Sequence, residues 1–358
     1  MSGGIVLKVL KDWVDRYLSD PQAILLAVLI GGSIVLLRTM STILAPVLAS
    51  IIIAYLLQWL VDLLVLRWKM PRLVAVLIAY SAFLGIFLSA LFVLWPIIWQ
   101  QLLHLLDELP NMINRAKEFL YLLPEQFPEY LTKETIDSMM VGLITQLKVT
   151  AKMLVTASIA SLPTIIALVI YLILVPLMIF FFLKDSPAIS QWFTGFLPRN
   201  RKLLHTVWEE VDLQIGNYVR GKAAEVIIMA IATYIVFYFF HLNYPLLLAV
   251  MVGLSVLIPY IGIVVVTIPV LFVAFFQWGF SSTFAYMMMV YGILQALDGA
   301  VLVPLLFSEA VNIHPLAIIL AVLVFGGWWG FWGVFFAIPL AVLVKAVINA
   351  WPRKPVHA

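Results

Sequence analysis

The sequence predicts an all-α polytopic membrane protein with about six full spans and two broken or re-entrant helical hairpins, giving eight membrane segments. Hydrophobic residues make up 65% of its 358 residues, whereas charged residues make up 11%. In a typical soluble domain about a quarter of all residues are charged, because its surface must contact water. With a mean hydropathy of +1.12, this chain lacks that polar surface. Its apolar surplus is accounted for when lipid surrounds most of the chain.

The full spans are predicted from apolar runs of roughly 20 residues, which is the length that crosses a hydrocarbon core of about 30 Å. These runs lie at 22–38, 42–66, 73–99, 154–183, 222–241 and 282–306. Residues 5–18 separate apolar and charged faces, as either an interfacial helix or a lead-in helix outside the membrane would. Lys and Arg residues cluster before the first span, after the second, across 184–222 and in the tail. That distribution predicts that both termini are cytoplasmic.

The strongest functional indication is an internal repeat. Tyr244-Pro245-Leu246 opens one apolar stretch (245–276), and His314-Pro315-Leu316 opens the other (315–350). The same offset relates Pro269 to Pro339, and these four prolines are predicted to mark structural breaks. Near its middle the first stretch is interrupted by Pro259, Tyr260 and Gly262, and the second by Gly326, Gly327 and Gly330.

Length decides how these stretches are interpreted. About 32 residues are too many for one upright helix and too few for two full crossings at about 1.5 Å per residue. A helix–break–helix hairpin fits, and a kinked, tilted span is the alternative. Paired segments interrupted by Gly or Pro indicate the binding site of a transporter. The glycines could permit close helix approach or leave the break free to flex.

One ionisable residue lies deep in the predicted span 282–306. Asp298 stands beside Gln295 and Gly299, and an acid at that depth is usually functional or paired. We predict that Asp298 and Gln295 bind a coupling proton, a sodium ion or a polar group of the substrate. A structural hydrogen bond to a neighbouring helix is the alternative. Asp62 lies nearer a span end and is predicted to form an ion pair with Arg67 or Lys69.

The repeat and the spans divide the chain into regions. The predicted regions are 1–99 (N-terminal amphipathic helix and three spans), 100–153 (extracytoplasmic amphipathic helices punctuated by Pro110, Pro124 and Pro128), 154–183 (fourth span), 184–221 (cytoplasmic amphipathic segment), 222–350 (C-terminal transport bundle with both broken repeats) and 351–358 (tail). Helical spacing of leucines in 100–153 favours a structural cover of the bundle, with ligand binding as the alternative.

Several other functions are excluded or disfavoured by what the chain lacks. It has no cysteine, so disulfides and thiolate metal sites are excluded, and its five histidines show no metal-ligand spacing. No phosphate-binding loop or protease motif is present, so we expect no enzyme, no cofactor and no resident metal. The net charge of +3 comes without a basic cluster, which argues against nucleic acid as a partner.

Ordered motifs along the chain resemble those of the autoinducer-2 exporter family, also called the PerM-like permeases. They are Phe181-Phe182-Leu183-Lys184-Asp185, Leu197-Pro198, Tyr218-Val219-Arg220-Gly221-Lys222, Ile258-Pro259-Tyr260-Ile261-Gly262, Val303-Pro304, His314-Pro315-Leu316 and the glycine-rich run to Ile338-Pro339. The resemblance covers nearly the whole chain. One position departs from it: where the family commonly has Glu-Asn in the seventh segment, this chain has Asp298-Gly299.

The resemblance implies a multi-pass protein of the inner membrane that exports small solutes. It also implies a homo-oligomer, specifically a pentamer. Some members are linked to autoinducer-2 and others to sodium/proton antiport. The function expected from residues and resemblance together is a permease or secondary transporter working by alternating access on a small molecule. A cation/proton antiporter, a passive channel and a non-transporting membrane scaffold, docking through 185–220, stay open as alternatives.

Overall fold

The computed structural model describes residues 21–120, 142, 162–198, 201–307 and 313–351. Within these ranges the chain forms helices and no strand, which confirms the all-α part of the predicted fold class. Five helical stretches are long and apolar enough to cross a membrane, or six when the bent pair around Asp185 counts as one span. The predicted helix 5–18, the prolines Pro124 and Pro128 and the tail after Trp351 lie outside the described residues.

The helices of the described ranges are numbered in chain order. They are α1 (Pro21–Thr39), α2 (Ser41–Trp68), α3 (Arg72–Ser89), α4 (Trp95–Leu120), α5 (Leu162–Lys184), α6 (Ser186–Gly195), α7 (Lys202–Phe239), α8 (Pro245–Ser255), α9 (Ile261–Trp278), α10 (Ser282–Leu297), α11 (Val303–Phe307), α12 (Pro315–Phe335) and α13 (Ala337–Ala350). Single π-helical turns, Ala90–Leu94 and Asp298–Leu302, join α3 to α4 and α10 to α11.

Both of these π-helical turns end two residues before a proline. Pro96 follows the turn Ala90–Leu94, and Pro304 follows the turn Asp298–Leu302. A proline inside a helix cannot donate its backbone hydrogen bond, and its ring clashes with the carbonyl four residues earlier. Widening the preceding turn relieves that clash and lets the helix continue. The chain therefore runs as one helical stretch through each proline.

The chain divides into two compact units. The first comprises residues 1–82, 173–223 and 303–358, and the second comprises 83–172 and 224–302. The core of the second unit is built on the buried side chains of Phe237, Leu248, Val270, Met287 and Tyr291. Around such cores the outward faces stay apolar: Ile231 is 55% exposed and Phe239 75% exposed on α7. Outward faces of this kind suit contact with lipid.

In the first unit, polar contacts tie α2 to α7. The Tyr55 hydroxyl donates to the Asp212 carboxylate, and a Cβ on Gly216 would lie 2.9 Å from the Tyr55 ring. Asp62 accepts a 2.7 Å hydrogen bond from Gln58 Nε2, and no ion pair joins it to Arg67 or Lys69 among the described residues. The ion pair predicted for Asp62 is therefore wrong. Gln58, four positions before Asp62, shares a helix face with it, whereas Arg67, five positions after Asp62, lies on a different face.

Helix α4 continues where the sequence suggested an interruption, and helix α7 extends over two of the predicted regions. Pro110 lies inside α4, which runs through it to Leu120, so this proline does not separate two helices. The side chain of Pro110 is exposed, whereas Met112 and Ile113 are buried. The carbonyl that loses its partner consequently faces outward, where it can bond elsewhere. Likewise α7 runs unbroken from Lys202 to Phe239, across the region boundary predicted at 221.

Candidate functional site

The first proline-opened stretch consists of two helices joined by a short non-helical linker. Helix α8 ends at Ser255, α9 begins at Ile261, and the two helices pack against each other. Tyr260, just before α9, has a positive φ of 63° and is 56% exposed. A Cβ on Gly262 would overlap the carbonyl oxygen of Ser255. Only glycine permits the second arm to start this close to the end of the first.

The second stretch repeats this construction in the first unit. Helix α12 contains one non-helical residue, Gly330, with φ 60° and ψ −136°, and α13 packs back against α12. A Cβ on Gly333 would overlap the carbonyl oxygen of Phe325. Beside the break, the Trp329 indole Nε1–H is buried and meets no hydrogen-bond partner in the part of the chain that the structure describes. Glycine thus permits the close return of the second arm in both stretches.

The four prolines named as breaks lie beside the interruptions rather than at them. Pro245 and Pro315 open α8 and α12, where a missing backbone N–H costs nothing. Pro269 lies inside α9, and Pro339 lies in the first turn of α13. The chain leaves helical geometry at residues 256–260 and at Gly330. Both departures lie near the middle of their stretches, where the sequence is rich in glycine and proline.

A row of polar side chains follows one face of α10 into the π-helical turn. Tyr291, Gln295 and Asp298 stand at i, i+4 and i+7, which places them on one helical face. The Tyr291 hydroxyl lies 3.1 Å from Thr267 Oγ1 on α9, and Gln295 lies beside that hydroxyl. Gln295 Nε2 and Asp298 Oδ1 are both buried. We call Thr267, Tyr291, Gln295 and Asp298 the polar row.

Helix register places Asp298 level with the linker of the first broken pair. Helices α9 and α10 are consecutive and pack together. Thr267 on α9 contacts Tyr291 on α10, and the two residues are equally far along the chain from Gly279, which lies in the connection between the helices. The two helices therefore run antiparallel. Tyr260 lies seven residues before Thr267, and Asp298 lies seven residues after Tyr291. Both lie about 10 Å from the Thr267–Tyr291 contact in the same direction along the helix axes.

One buried acid in the second unit was missed by sequence reasoning. Glu225 on α7 is 2% exposed, and it is the one Asp, Glu, Lys, Arg or His residue that is buried among the described residues. It shares its helix face with Met229, Thr233 and Phe237, all of them buried. In the sequence Glu225 closely follows Arg220 and Lys222, so it looks like part of a solvated flank. Its spacing to Met229 and Thr233 was the available signal.

The predicted site residues fall into both units. Asp298, Gln295, Pro259, Tyr260 and Gly262 belong to the second unit, where the linker and the polar row share one level. Gly326, Gly327 and Gly330 belong to the first unit. A Cβ on Gly326 would lie 2.7 Å from the Val334 side chain, whereas Gly327 and Gly330 have open space. No group of three or more His, Asp or Glu side chains among the described residues could hold a metal ion.

Comparison with known proteins decides the family. Residues 23–353 match the AI-2E family transporter profile, which spans nearly the whole chain. The chain belongs to the AI-2E transporter family. PerM of Escherichia coli (strain K12), described as a permease, is 48% identical over 347 residues, covering 97% of this chain and 98% of PerM. YueF of Bacillus subtilis (strain 168), described as a transport protein, is 26% identical, covering 86% of this chain and 83% of YueF.

A third relative extends the range of organisms. The transport protein MT0215 of Mycobacterium tuberculosis (strain CDC 1551 / Oshkosh) is 28% identical and covers 87% of this chain. The AI-2E family is one of permeases and transporters rather than enzymes. Its profile includes both broken helix pairs and the polar row. This membership confirms the resemblance found in the sequence motifs.

Proposed function

We propose that this AI-2E family protein is a secondary transporter that exports a small solute by alternating access. The observation that carries the proposal is the polar row, which reaches the level of the linker at 256–260 within one apolar unit. Polar side chains in a hydrocarbon environment are costly and mark solute or ion pathways. Non-helical backbone at such a depth needs protein or water around it, because lipid cannot hydrogen-bond it.

Each part of the polar row has a distinct role in this proposal. Asp298 carries the negative charge that attracts a proton, a sodium ion or a positively polarised group of the solute. Gln295 offers both a donor and an acceptor beside it. Thr267 and Tyr291 close the end of the row about 10 Å away. Pro259 and Tyr260 of the linker, with Gly262 in the first turn of α9, change the access to this row when the two arms of the pair move.

The two broken pairs supply the moving parts. In each pair a glycine lets the second arm start against the backbone of the first, so the arms can move with little side-chain interlocking between them at that point. Gly330, which adopts a positive φ, and its neighbours Gly326 and Gly327 form the corresponding flexible break of the first unit. Alternating access in transporters with paired broken helices arises from such rearrangement around a fixed site.

Family membership and charge placement support a proposed location. We propose a multi-pass protein of the inner membrane with both termini in the cytoplasm, since Lys and Arg concentrate on the segments assigned to that side. The proposed assembly is a homo-oligomer, specifically a pentamer. Autoinducer-2 is the first solute to test, because the chain matches the AI-2E family and its motifs resemble those of the autoinducer-2 exporters.

A transport assay tests the role of the polar row. Metabolite profiling of cells that lack or overproduce the protein first ranks the solutes, with autoinducer-2 included. Purified protein in proteoliposomes is then assayed with wild type, Asp298→Asn and Asp298→Ala. We expect wild-type flux that saturates with solute and at least about a tenfold loss in both variants, since one lost charged contact is worth about 1.4 kcal/mol or more.

The control variant is Glu209→Gln, which removes an exposed carboxylate on α7 that pairs with His205. It should transport like wild type. Unchanged flux in Asp298→Asn and Asp298→Ala would remove Asp298 from the mechanism. Flux that fails to saturate and ignores an imposed ion gradient would instead indicate a passive channel. Absence of flux for every ranked solute, together with a partner recovered by crosslinking, would indicate a membrane scaffold.

A further inference from the structure

We propose that helix α6 (Ser186–Gly195) lies in the cytoplasmic surface of the bilayer and binds anionic phospholipids there. Its aromatic face enters the boundary between headgroups and acyl chains, and the basic side chains that flank it bind the headgroups. The inference goes beyond the transport function and does not depend on it. It rests on the membrane location of the chain and on α5 as a span, whose Lys184 end the distribution of Lys and Arg assigns to the cytoplasm.

Helix α5 ends in a sharp bend that turns α6 away from the span. The stretch Leu168–Lys184 and α6 differ in direction by 81°. Asp185 at the bend has φ −103° and ψ 14°, and Pro187 in the first turn of α6 has no backbone N–H with which to extend α5. With 23 residues, α5 is long enough to cross the hydrocarbon core by itself. Helix α6 is therefore left nearly parallel to the plane of the membrane.

The side chains of α6 and its C-cap separate into an apolar face and a polar face. At 3.6 residues per turn, the apolar side chains fall within an arc of about 140° around the helix axis. They are Ala188, Ile189, Trp192, Phe193 and Phe196. Ser190, Gln191 and Thr194 lie on the opposite side. A helix with this division lies in the interface between lipid and water, with its apolar face toward the acyl chains.

The large side chains of the apolar face are exposed and contact one another. Trp192 is 62% exposed, Phe193 61% and Phe196 73%. The centroid of the Trp192 ring lies 4.9 Å from that of Phe193 and 4.9 Å from that of Phe196, with both pairs edge-on. We call these three residues the aromatic cluster. Tryptophan and phenylalanine on such a face are the residues that anchor interfacial helices.

Basic side chains stand at both ends of α6. The Lys184 ammonium lies 3.9 Å from the Asp185 carboxylate, and both side chains are 41% exposed. After α6, the Arg201 guanidinium donates a 2.7 Å hydrogen bond to the Thr194 carbonyl oxygen, which holds it against the last turn of the helix. A guanidinium has five N–H donors, so the same group can also contact a phosphate. Lys202 follows it and is exposed.

Charge and area together select an anionic lipid as the occupant. Helix α6 contains no charged residue, so nothing on its apolar face opposes contact with acyl chains. The cations flank that face, where the headgroups of the same lipids lie, and clusters of this kind bind anionic membranes. A second protein chain fits less well. Three aromatic side chains bury at most about 250 Å² each, whereas a stable protein interface needs about 800 Å² from each partner.

The depth of α6 can be measured with a single label. Because the chain has no cysteine, Ala188→Cys on the apolar face and Ser190→Cys on the polar face can each be spin-labelled in otherwise unchanged protein. The labelled proteins are reconstituted in vesicles of phosphatidylglycerol and phosphatidylcholine. Paramagnetic resonance then compares the accessibility of each label to oxygen, which concentrates among acyl chains, with its accessibility to a water-soluble nickel complex.

The proposal predicts opposite results at the two positions. The label at position 188 should be severalfold more accessible to oxygen than to nickel, and the label at position 190 should show the reverse. Nickel access at both positions would place α6 in water and overturn the proposal. A label at position 188 that neither reagent reaches would show a protein partner on the aromatic cluster, which would also overturn it.

A second measurement tests the headgroup. Native mass spectrometry of the full chain, titrated with phosphatidylglycerol and phosphatidylcholine, counts the lipids of each kind that stay bound. Wild type should prefer phosphatidylglycerol, and the double variant Lys184→Gln with Lys202→Gln should lose at least about fivefold of that preference. The matched control is Arg72→Gln with Arg115→Gln, which removes two exposed cations elsewhere and should bind lipid like wild type.

An equal loss in the control would show that only total charge matters and would overturn the assignment to α6. Unchanged preference in Lys184→Gln with Lys202→Gln would overturn it as well. Both measurements are made without any solute. A failure to find flux for every solute would therefore count against the transport function and leave the result on α6 as it stands.

Discussion

The Tyr244 hydroxyl donates a 2.6 Å hydrogen bond to Glu108 Oε2, joining the start of the first broken pair to helix α4. A second contact lies beside it, where the Leu247 backbone N–H donates to Gln101 Oε1 at 2.8 Å. Both acceptors lie on α4, and both donors lie at the beginning of α8. We call this pair of contacts the α4 clamp. It holds one end of α8, whereas the linker at 256–260 forms the other end.

Removing the charged contact of the α4 clamp should loosen the first broken pair. Tyr244→Phe deletes the donor and keeps the ring, so we expect a loss of about 1 kcal/mol in unfolding free energy and faster exchange of the backbone amides of α8 with solvent. Glu108→Gln should behave similarly. In a double-mutant cycle the two losses should not add. Additive losses would show that the two side chains stabilise the protein separately.

The α4 clamp also has a defined pH dependence. Burial, together with the hydrogen bond to Glu108 and its negative charge, raises the pKa of Tyr244 above its ordinary value of about 10. Because the protonated hydroxyl is the donor, its contribution is fully present below pH about 10 and is lost as the pH rises through the raised pKa. The melting-temperature difference between wild type and Tyr244→Phe should thus stay constant from neutral pH to about pH 10 and shrink above it. A difference that already shrinks at neutral pH would contradict this assignment.

Close approach of the two arms at Gly262 predicts a strong effect of one methyl group. In Gly262→Ala the added Cβ would overlap the Ser255 carbonyl oxygen, which is backbone and cannot turn away. We expect a loss of about 2–3 kcal/mol in unfolding free energy and a displaced linker. Gly292→Ala is the matched control, since α10 has open space at that position. Alanine there should be neutral or stabilising by up to about 1 kcal/mol. Equal stability of the two variants would argue against the close approach.

The all-α part of the fold class, with several membrane-length helices, could be predicted from the sequence because it depends mainly on composition. A chain with 11% charged residues has too little polar surface for water, and span length follows from bilayer thickness. The interruptions at 256–260 and at Gly330 were foreseen in position, since glycine and proline are the residues that leave helical geometry. Asp298 stands out in the sequence because it is an isolated acid within a long apolar run, and its role stays a prediction.

Other features could not be predicted from the sequence, because they depend on which face of a helix is buried. In α7 nearly every position beyond Lys222 is apolar, so hydrophobic periodicity cannot distinguish the lipid-facing side from the core. The burial of Glu225 is therefore visible only in the structure, where Met229 and Phe237 are buried on the same face of α7. The continuity of α4 through Pro110 was likewise hidden, because a proline on an exposed face is tolerated where one facing a core is not.

The π-helical turn that begins at Asp298 predicts an effect of Pro304 on the candidate site. We expect that Pro304→Ala removes the steric reason for the widened turn, so that residues 298–302 relax to ordinary α-helix. The Asp298 carboxylate would then leave its place in the polar row, and flux should fall although the protein is no less stable. Pro96→Ala relaxes the equivalent turn Ala90–Leu94, which carries no polar residue, and serves as the control. Solute flux in proteoliposomes and melting temperature measure the two effects. Normal flux in Pro304→Ala, or an equal loss in Pro96→Ala, would show that the widened turn does not position Asp298.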